Sequence, residues 1–166
     1  MTTSIRPAIR PATVADCGTI LGFIRELADY ERLAHEVVAT EAGLAATLFG
    51  PRPAAEVLIA EVDGTPVGFA LFFTSYSTFL ARPGLYLEDL FVRPAARGQG
   101  VGLALMIHLA RICAARDYGR FEWSVLDWNE PALRFYAALG AKPQVEWTVQ
   151  RLTGAALAAL AARSAL

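Results

Sequence analysis

The chain has 166 residues, 55% of them hydrophobic, which is enough to bury one sizeable core and too little for a second. Its Lys and Arg total 15 against 16 Asp and Glu, a net charge of -1, and no stretch gathers basic residues as a phosphate-tracking surface would, so nucleic acid is not an expected partner. No apolar run approaches the roughly 18 residues of a membrane span, and the expectation is a single domain over residues 1–166, off the membrane.

Met1 to Arg6 lack the basic start and long apolar run of a signal peptide. Ile5 to Ile9 reads as a first strand. Thr13 followed by Asp16 has the spacing of a helix-opening box, and Ile20, Phe23, Ile24 and Leu27 continue it as a helix from about Thr13 to Arg32. Leu33 to Ala39 reads as a loop. Thr40 and Glu41 open a shorter helix carrying Leu44 and Leu48, closed by Gly50-Pro51. Val57–Val62 and Val67–Phe73 are β-rich runs joined by Asp63-Gly64, a hairpin dipeptide. Leu85–Val92 follows the breaker Arg82-Pro83-Gly84 as a third run and leads through a glycine-rich turn into the helical pattern Leu105, Leu109, Ile112 and Cys113. Phe121–Leu126 is the next strand; Asn129 then caps a helix with Pro131 in its first turn and Gly140 beyond its end. Val145–Leu152 is expected to complete the sheet, and the alanine-rich Thr153–Leu166 to be helical. A hairpin meander before the glycine loop makes the order α+β, unlike a doubly wound fold, which alternates strand and helix from the start.

Gly98, Gly100 and Gly102 remove side chains where strand turns into helix, leaving backbone N–H groups free to face an anion. The positive end of the following helix dipole favours a diphosphate, and Arg97 can add a full charge. Rival phosphate motifs fail letter by letter. A dinucleotide fingerprint needs glycine where Leu103 stands, and a P-loop needs Gly-Lys-Ser/Thr.

The run Arg97-Gly98-Gln99-Gly100-Val101-Gly102 resembles the pyrophosphate motif of the GNAT superfamily. With Tyr86-Leu87-Glu88-Asp89-Leu90-Phe91-Val92 before it and Trp128-Asn129-Glu130-Pro131 and Phe135-Tyr136 after it, the chain is similar to the spermidine/spermine (diamine/thialysine) N-acetyltransferase branch over nearly its whole length. The resemblance implies a mixed, mostly antiparallel twisted sheet flanked by helices, with a splayed cleft for acetyl-CoA. It places the cofactor on Leu90, Phe91, Val92, Arg97, Gly98, Gln99, Gly100, Val101, Gly102, Leu103, Asn129, Pro131 and Tyr136. Backbone N–H near Leu90 to Val92 would polarise the thioester carbonyl.

Acetyl transfer to an amine needs a neutral nucleophile and a proton for the departing thiolate. An amine of pKa about 10.4 is uncharged in only about one molecule in two thousand at pH 7, so a proton acceptor matters. Glu88 and Asp89 interrupt an apolar strand, and period-two geometry sends them to opposite faces unless a bulge intervenes. The resemblance makes Glu88 an acceptor-binding residue and a base acting through water, and Tyr136 the acid that protonates the thiolate; Asp89 reads as structural. On the acceptor side it points to Tyr30, Glu31, Glu122, Trp123 and Ser124.

Ser77 stands where the polyamine branch carries an acid, which favours a shorter amine, an amino acid or a thialysine-like compound over a long polycation. Two further readings keep the same loop: acetylation of a protein or peptide amine, and a non-catalytic CoA-binding module, against which Glu88 and Tyr136 stand together. Cys17 and Cys113 read as small core hydrophobes of a reduced, cytoplasmic protein. His35 and His108 lack partners at metal spacing, so no metal is expected. A homodimer is expected by resemblance, with the apolar segment from Ala155 against a partner.

Overall fold

The hairpin at Asp63-Gly64 organises the sheet: both residues have positive φ, 49° and 74°, the type I′ combination that matches strand twist. It joins β2 (Glu56–Val62) to β3 (Thr65–Ser77), and β1 (Ala8–Pro11), β4 (Arg82–Val92) and β5 (Phe121–Trp123) complete five strands in the order β1-β2-β3-β4-β5. The first four pair antiparallel; β4 and β5 pair parallel. This computed structural model describes residues 7–163.

Helix α1 (Cys17–Tyr30) follows a one-turn 3-10 segment, Val14–Asp16, opened by the expected box, in which the Thr13 N–H donates to Asp16 Oδ2 at 2.7 Å. The Thr40 hydroxyl accepts from the Gly43 N–H at 3.1 Å and caps α2 (Glu41–Leu48). Ile20 and Phe23 of α1 and Leu44 and Leu48 of α2 pack on Val57, Ile59, Phe69 and Phe91 of the sheet, with Phe23 stacked on Phe69 at 5.4 Å. The intervening residues Leu58, Ala60, Ala70 and Phe72 are buried as well, so β2 and β3 are covered on both faces, and α3 (Val101–Ala115) contributes Val101, Leu105, Met106 and Leu109. That accounts for their near-continuous apolar runs.

The chain divides into two compact units, Met1–Ser124 and Val125–Leu166. The second holds α4 (Glu130–Ala138) and α5 (Gly154–Ala161). Asn129 Oδ1 caps α4 by accepting from the Ala132 N–H at 3.4 Å, Pro131 sits in its first turn, and Gly140 follows its end, as the sequence predicts. Among the described residues no helix is long and apolar enough to cross a membrane.

Five expectations are corrected. Val145–Leu152 is no strand: Val145, Trp147 and Val149 are 85%, 78% and 76% exposed, and the segment carries no ladder partner among the described residues. Strand propensity measures fit to a pleated, half-buried surface, and the described residues supply none there. The β5 strand stops at Trp123, not Leu126, because its ladder with β4 ends at Leu87 opposite Trp123. The supposed breaker Arg82-Pro83-Gly84 lies inside β4, and β3 runs to Ser77 rather than Phe73. The tail helix covers only Gly154–Ala161. Of the first predicted strand, Ile5 and Arg6 lie outside the described residues.

Candidate active site

The sheet pairing itself builds the central feature. Leu71 of β3 faces Asp89 of β4, while the next β3 residue, Phe72, faces Leu87, so Glu88 is the extra residue of a β-bulge. Its effect is a change of face. Leu85 and Leu87 lie with Thr74 and Phe72 on one side of the sheet, whereas Asp89 and Phe91 lie with Leu71 and Phe69 on the α1 side. An unbroken strand would have kept all four odd positions together.

The bulge also marks the end of the β4–β5 ladder, which covers only Leu85 to Leu87 on the β4 side. From Glu88 to Val92, β4 has no ladder partner but β3 among the described residues. Apart from the Val92 carbonyl, which accepts from Arg97, its other edge offers backbone groups to an extended ligand, the feature expected of a splayed cleft.

Glu88 is exposed and Asp89 half-buried on the α1 side. Burial is the main cause that pushes the Asp89 carboxyl up to about 6, and the charges of Glu88 and Glu31 add to it. Glu31, half-buried at the C-cap of α1, is itself shifted upward by burial. The charge of Glu31 at the end of α1 thus acts on Asp89 at the bulge of β4. The sequence reading leaves Asp89 structural; two adjacent acids inside an apolar strand were visible there, but the face change that puts Asp89 on the α1 side comes from the register.

Beyond β4, a 3-10 turn at Pro94–Ala96 leads into the glycine loop. Gly98 and Gly100 have φ of 73° and 81°, and a Cβ on either would meet nothing within 4 Å. Open space lies above a backbone that only glycine adopts readily. The first-turn N–H groups of α3, at Val101, Gly102 and Leu103, have no intrahelical acceptor and point out of its positive end. The loop is braced from within: the Gln99 amide donates to the Ala95 carbonyl at 2.9 Å and Arg97 Nε to the Val92 carbonyl at 2.8 Å. These residues fit a diphosphate held by backbone donors.

The remaining predicted residues divide. Tyr30, the last residue of α1, has the Arg97 guanidinium 4.9 Å from its ring centroid. Glu122 is paired with Arg120, and the Ser124 hydroxyl is hydrogen-bonded to the Tyr86 hydroxyl at 2.7 Å, so both are engaged within the first unit. Trp123 packs edge-on against Phe121 at 4.9 Å. Ser77 is buried and accepts from the Leu80 N–H at 3.2 Å, closing the β3–β4 turn. In the second unit, Tyr136 is half-buried on α4 beside Phe135, with ring centroids 5.3 Å apart. Cys17 is buried and Cys113 partly so, and burial raises both thiols.

Comparison with known proteins agrees with this geometry. The thialysine N-epsilon-acetyltransferase of Mus musculus is 39% identical, the match covering 93% of this chain and 97% of that one. The L-ornithine N5-acetyltransferase of Arabidopsis thaliana is 36% identical over 92% of this chain and 86% of its own. An integron cassette protein of V. cholerae superposes with a TM-score of 0.80 at 29% identity, covering 97% of this chain and 99% of that one. The model of the acetyltransferase (GNAT) family matches residues 24–141. With the bulged strand, the glycine loop and this match in one chain, the protein belongs to the GNAT family and is an acetyl-CoA-dependent N-acetyltransferase.

Proposed function

We propose that the acceptor is the terminal primary amine of a small amino acid, the class that includes ornithine and thialysine. The carrying observation is the carboxylate group Glu31, Glu88 and Asp89 at the bulge. An incoming ammonium is attracted by these charges and must then lose a proton. A carboxyl near 6 is close enough to neutral pH to accept one through water, better matched than an ordinary aspartate. The amine nitrogen then attacks the thioester carbon, backbone N–H of Leu90 to Val92 stabilise the oxyanion, the C–S bond breaks, Tyr136 gives the thiolate its proton, and the new amide nitrogen sheds its extra proton, which through water restores the phenol. Ser77, turned onto the Leu80 N–H, offers no second anchor for a long polyamine. The names of the relatives support the same class, and the family match, running across the boundary after Ser124, supports one domain over 1–166.

The test is a panel of ornithine, thialysine, putrescine, spermidine and a lysine peptide, read by CoA release and product mass. The highest kcat/KM is expected for the amino acids; turnover of the peptide alone would overturn the proposal. In the same assay Gly100→Ala is expected to raise the acetyl-CoA KM about tenfold, since a Cβ would stand in the open cradle and strain a φ of 81°. The melting temperature should fall by only a few degrees.

A homodimer in the cytoplasm belongs to the same proposal. Val145, Trp147 and Val149 alternate along a segment whose apolar side chains face solvent, and a second copy would cover them. Light scattering should give twice the 17.9 kDa chain mass, and Trp147→Glu should shift it toward the monomer.

A further inference from the structure

Arg97 immediately precedes the cofactor loop, yet its side chain is engaged by β4 and α1. Nε donates to the Val92 carbonyl at 2.8 Å, and the guanidinium carbon lies 4.9 Å from the Tyr30 ring centroid and 5.7 Å from that of Phe91. Phe91 is buried in the core beneath α1, so the guanidinium sits where the end of β4, the start of the loop and the last residue of α1 meet.

The end of α1 is a well-defined structure. Arg32 takes a left-handed φ of 62°, its N–H bonds to the Asp29 carbonyl at 3.1 Å, and the Leu33 N–H reaches back to the Ala28 carbonyl at 2.7 Å. This pair of bonds is a Schellman closure. It fixes the Glu31 backbone relative to Tyr30, so whatever holds the Tyr30 ring also sets where the Glu31 side chain starts, and the Glu31 charge acts on Asp89. A cation at this place also complements the negative end of the α1 dipole.

We propose that Arg97 is a positioning residue that ties the cofactor loop to the acceptor carboxylates: stacked on Tyr30 and bonded to Val92, it sets the last turn of α1, and with it Glu31, according to the state of the loop. The diphosphate is then held by the loop's N–H groups and the α3 dipole, and Arg97 transmits occupancy instead of supplying charge. This rests on the reading that Glu31 belongs to the acceptor site.

The experiment compares Arg97→Met, Arg97→Lys, Tyr30→Leu, Tyr30→Phe and Arg97→Met/Tyr30→Leu in the full chain. An exposed cation–π pair corresponds to about a fivefold effect. The acceptor KM should rise about fivefold in Arg97→Met and in Tyr30→Leu, with the acetyl-CoA KM moving less than twofold. Arg97→Lys and Tyr30→Phe, which keep a cation and a ring, should recover part of the loss. The double variant should be no worse than either single one, because both break the same contact. Amide hydrogen exchange of residues 28–33 is measured alongside: adding CoA should slow it in the parent and not in Arg97→Met. That measurement needs no acceptor, so it decides the coupling even if the acceptor panel fails. A rise in the acetyl-CoA KM with the acceptor KM unchanged would assign Arg97 to phosphate charge and overturn the proposal. So would multiplying effects in the double variant, or exchange that responds to CoA equally with and without Arg97.

Discussion

Tyr136→Phe is expected to lower kcat about a hundredfold while leaving the acetyl-CoA KM within a few-fold of the parent. The substitution removes one oxygen and keeps the ring that packs beside Phe135 on α4. General acids contribute roughly 10²- to 10⁴-fold. The lower end applies here, because a thiol of pKa about 8.5 already leaves moderately well without a proton. The measurement is kcat at neutral pH for both proteins, with the melting temperature taken alongside so that a folding defect is not read as a chemical one. A kcat within threefold of the parent would remove Tyr136 from the mechanism and leave the thiolate to be protonated by solvent.

The same reaction shows how unevenly the sequence carries its structure. Features set by one or two adjacent residues were readable: Asp63-Gly64 makes the hairpin, Thr13 with Asp16 and Thr40 open their helices, and Asn129 caps α4. The glycine loop was readable for the same reason, since positive φ at Gly98 and Gly100 follows from residue type and position. Features that depend on pairing were not. Period two puts Leu85, Leu87, Asp89 and Phe91 on one face unless a bulge intervenes, and no Gly or Pro at Glu88 marks one; only the register with β3 places Asp89 on the α1 side. Val145, Trp147 and Val149 have the alternation of a strand, and a strand needs a partner, which the described residues do not present to them. Arg97 is an intermediate case. Its charge was legible, but its engagement with Val92 and Tyr30 depends on where α1 ends in space.

Asp89→Asn is the change for which stability and activity should move in opposite directions. The folded protein holds the Asp89 proton up to about pH 6, whereas an unfolded aspartate releases it near 3.8. Between those values folding takes up a proton, so this residue's contribution to stability falls as the pH rises through that window. Above about pH 7 the full cost of a half-buried carboxylate beside Glu88 and Glu31 is present, roughly 3 kcal/mol. Asparagine carries no charge at any of these pH values. The variant should therefore melt close to the parent at pH 4 and about 8 °C above it at pH 7.5. Activity should show the reverse: kcat/KM for the acceptor lower by about thirtyfold at pH 7.5, where the parent has an ionised acceptor for the ammonium proton. The parent's kcat/KM should rise across pH 6, and that rise should be absent from the variant. Thermal melts at the two pH values and a kcat/KM profile from pH 5 to 8 test both halves. A stabilised variant with unchanged kcat/KM would make Asp89 a strained structural carboxylate and leave the proton to Glu88 alone. Loss of both stability and activity would mean that the carboxylate is held by the fold, contrary to the raised value its surroundings impose.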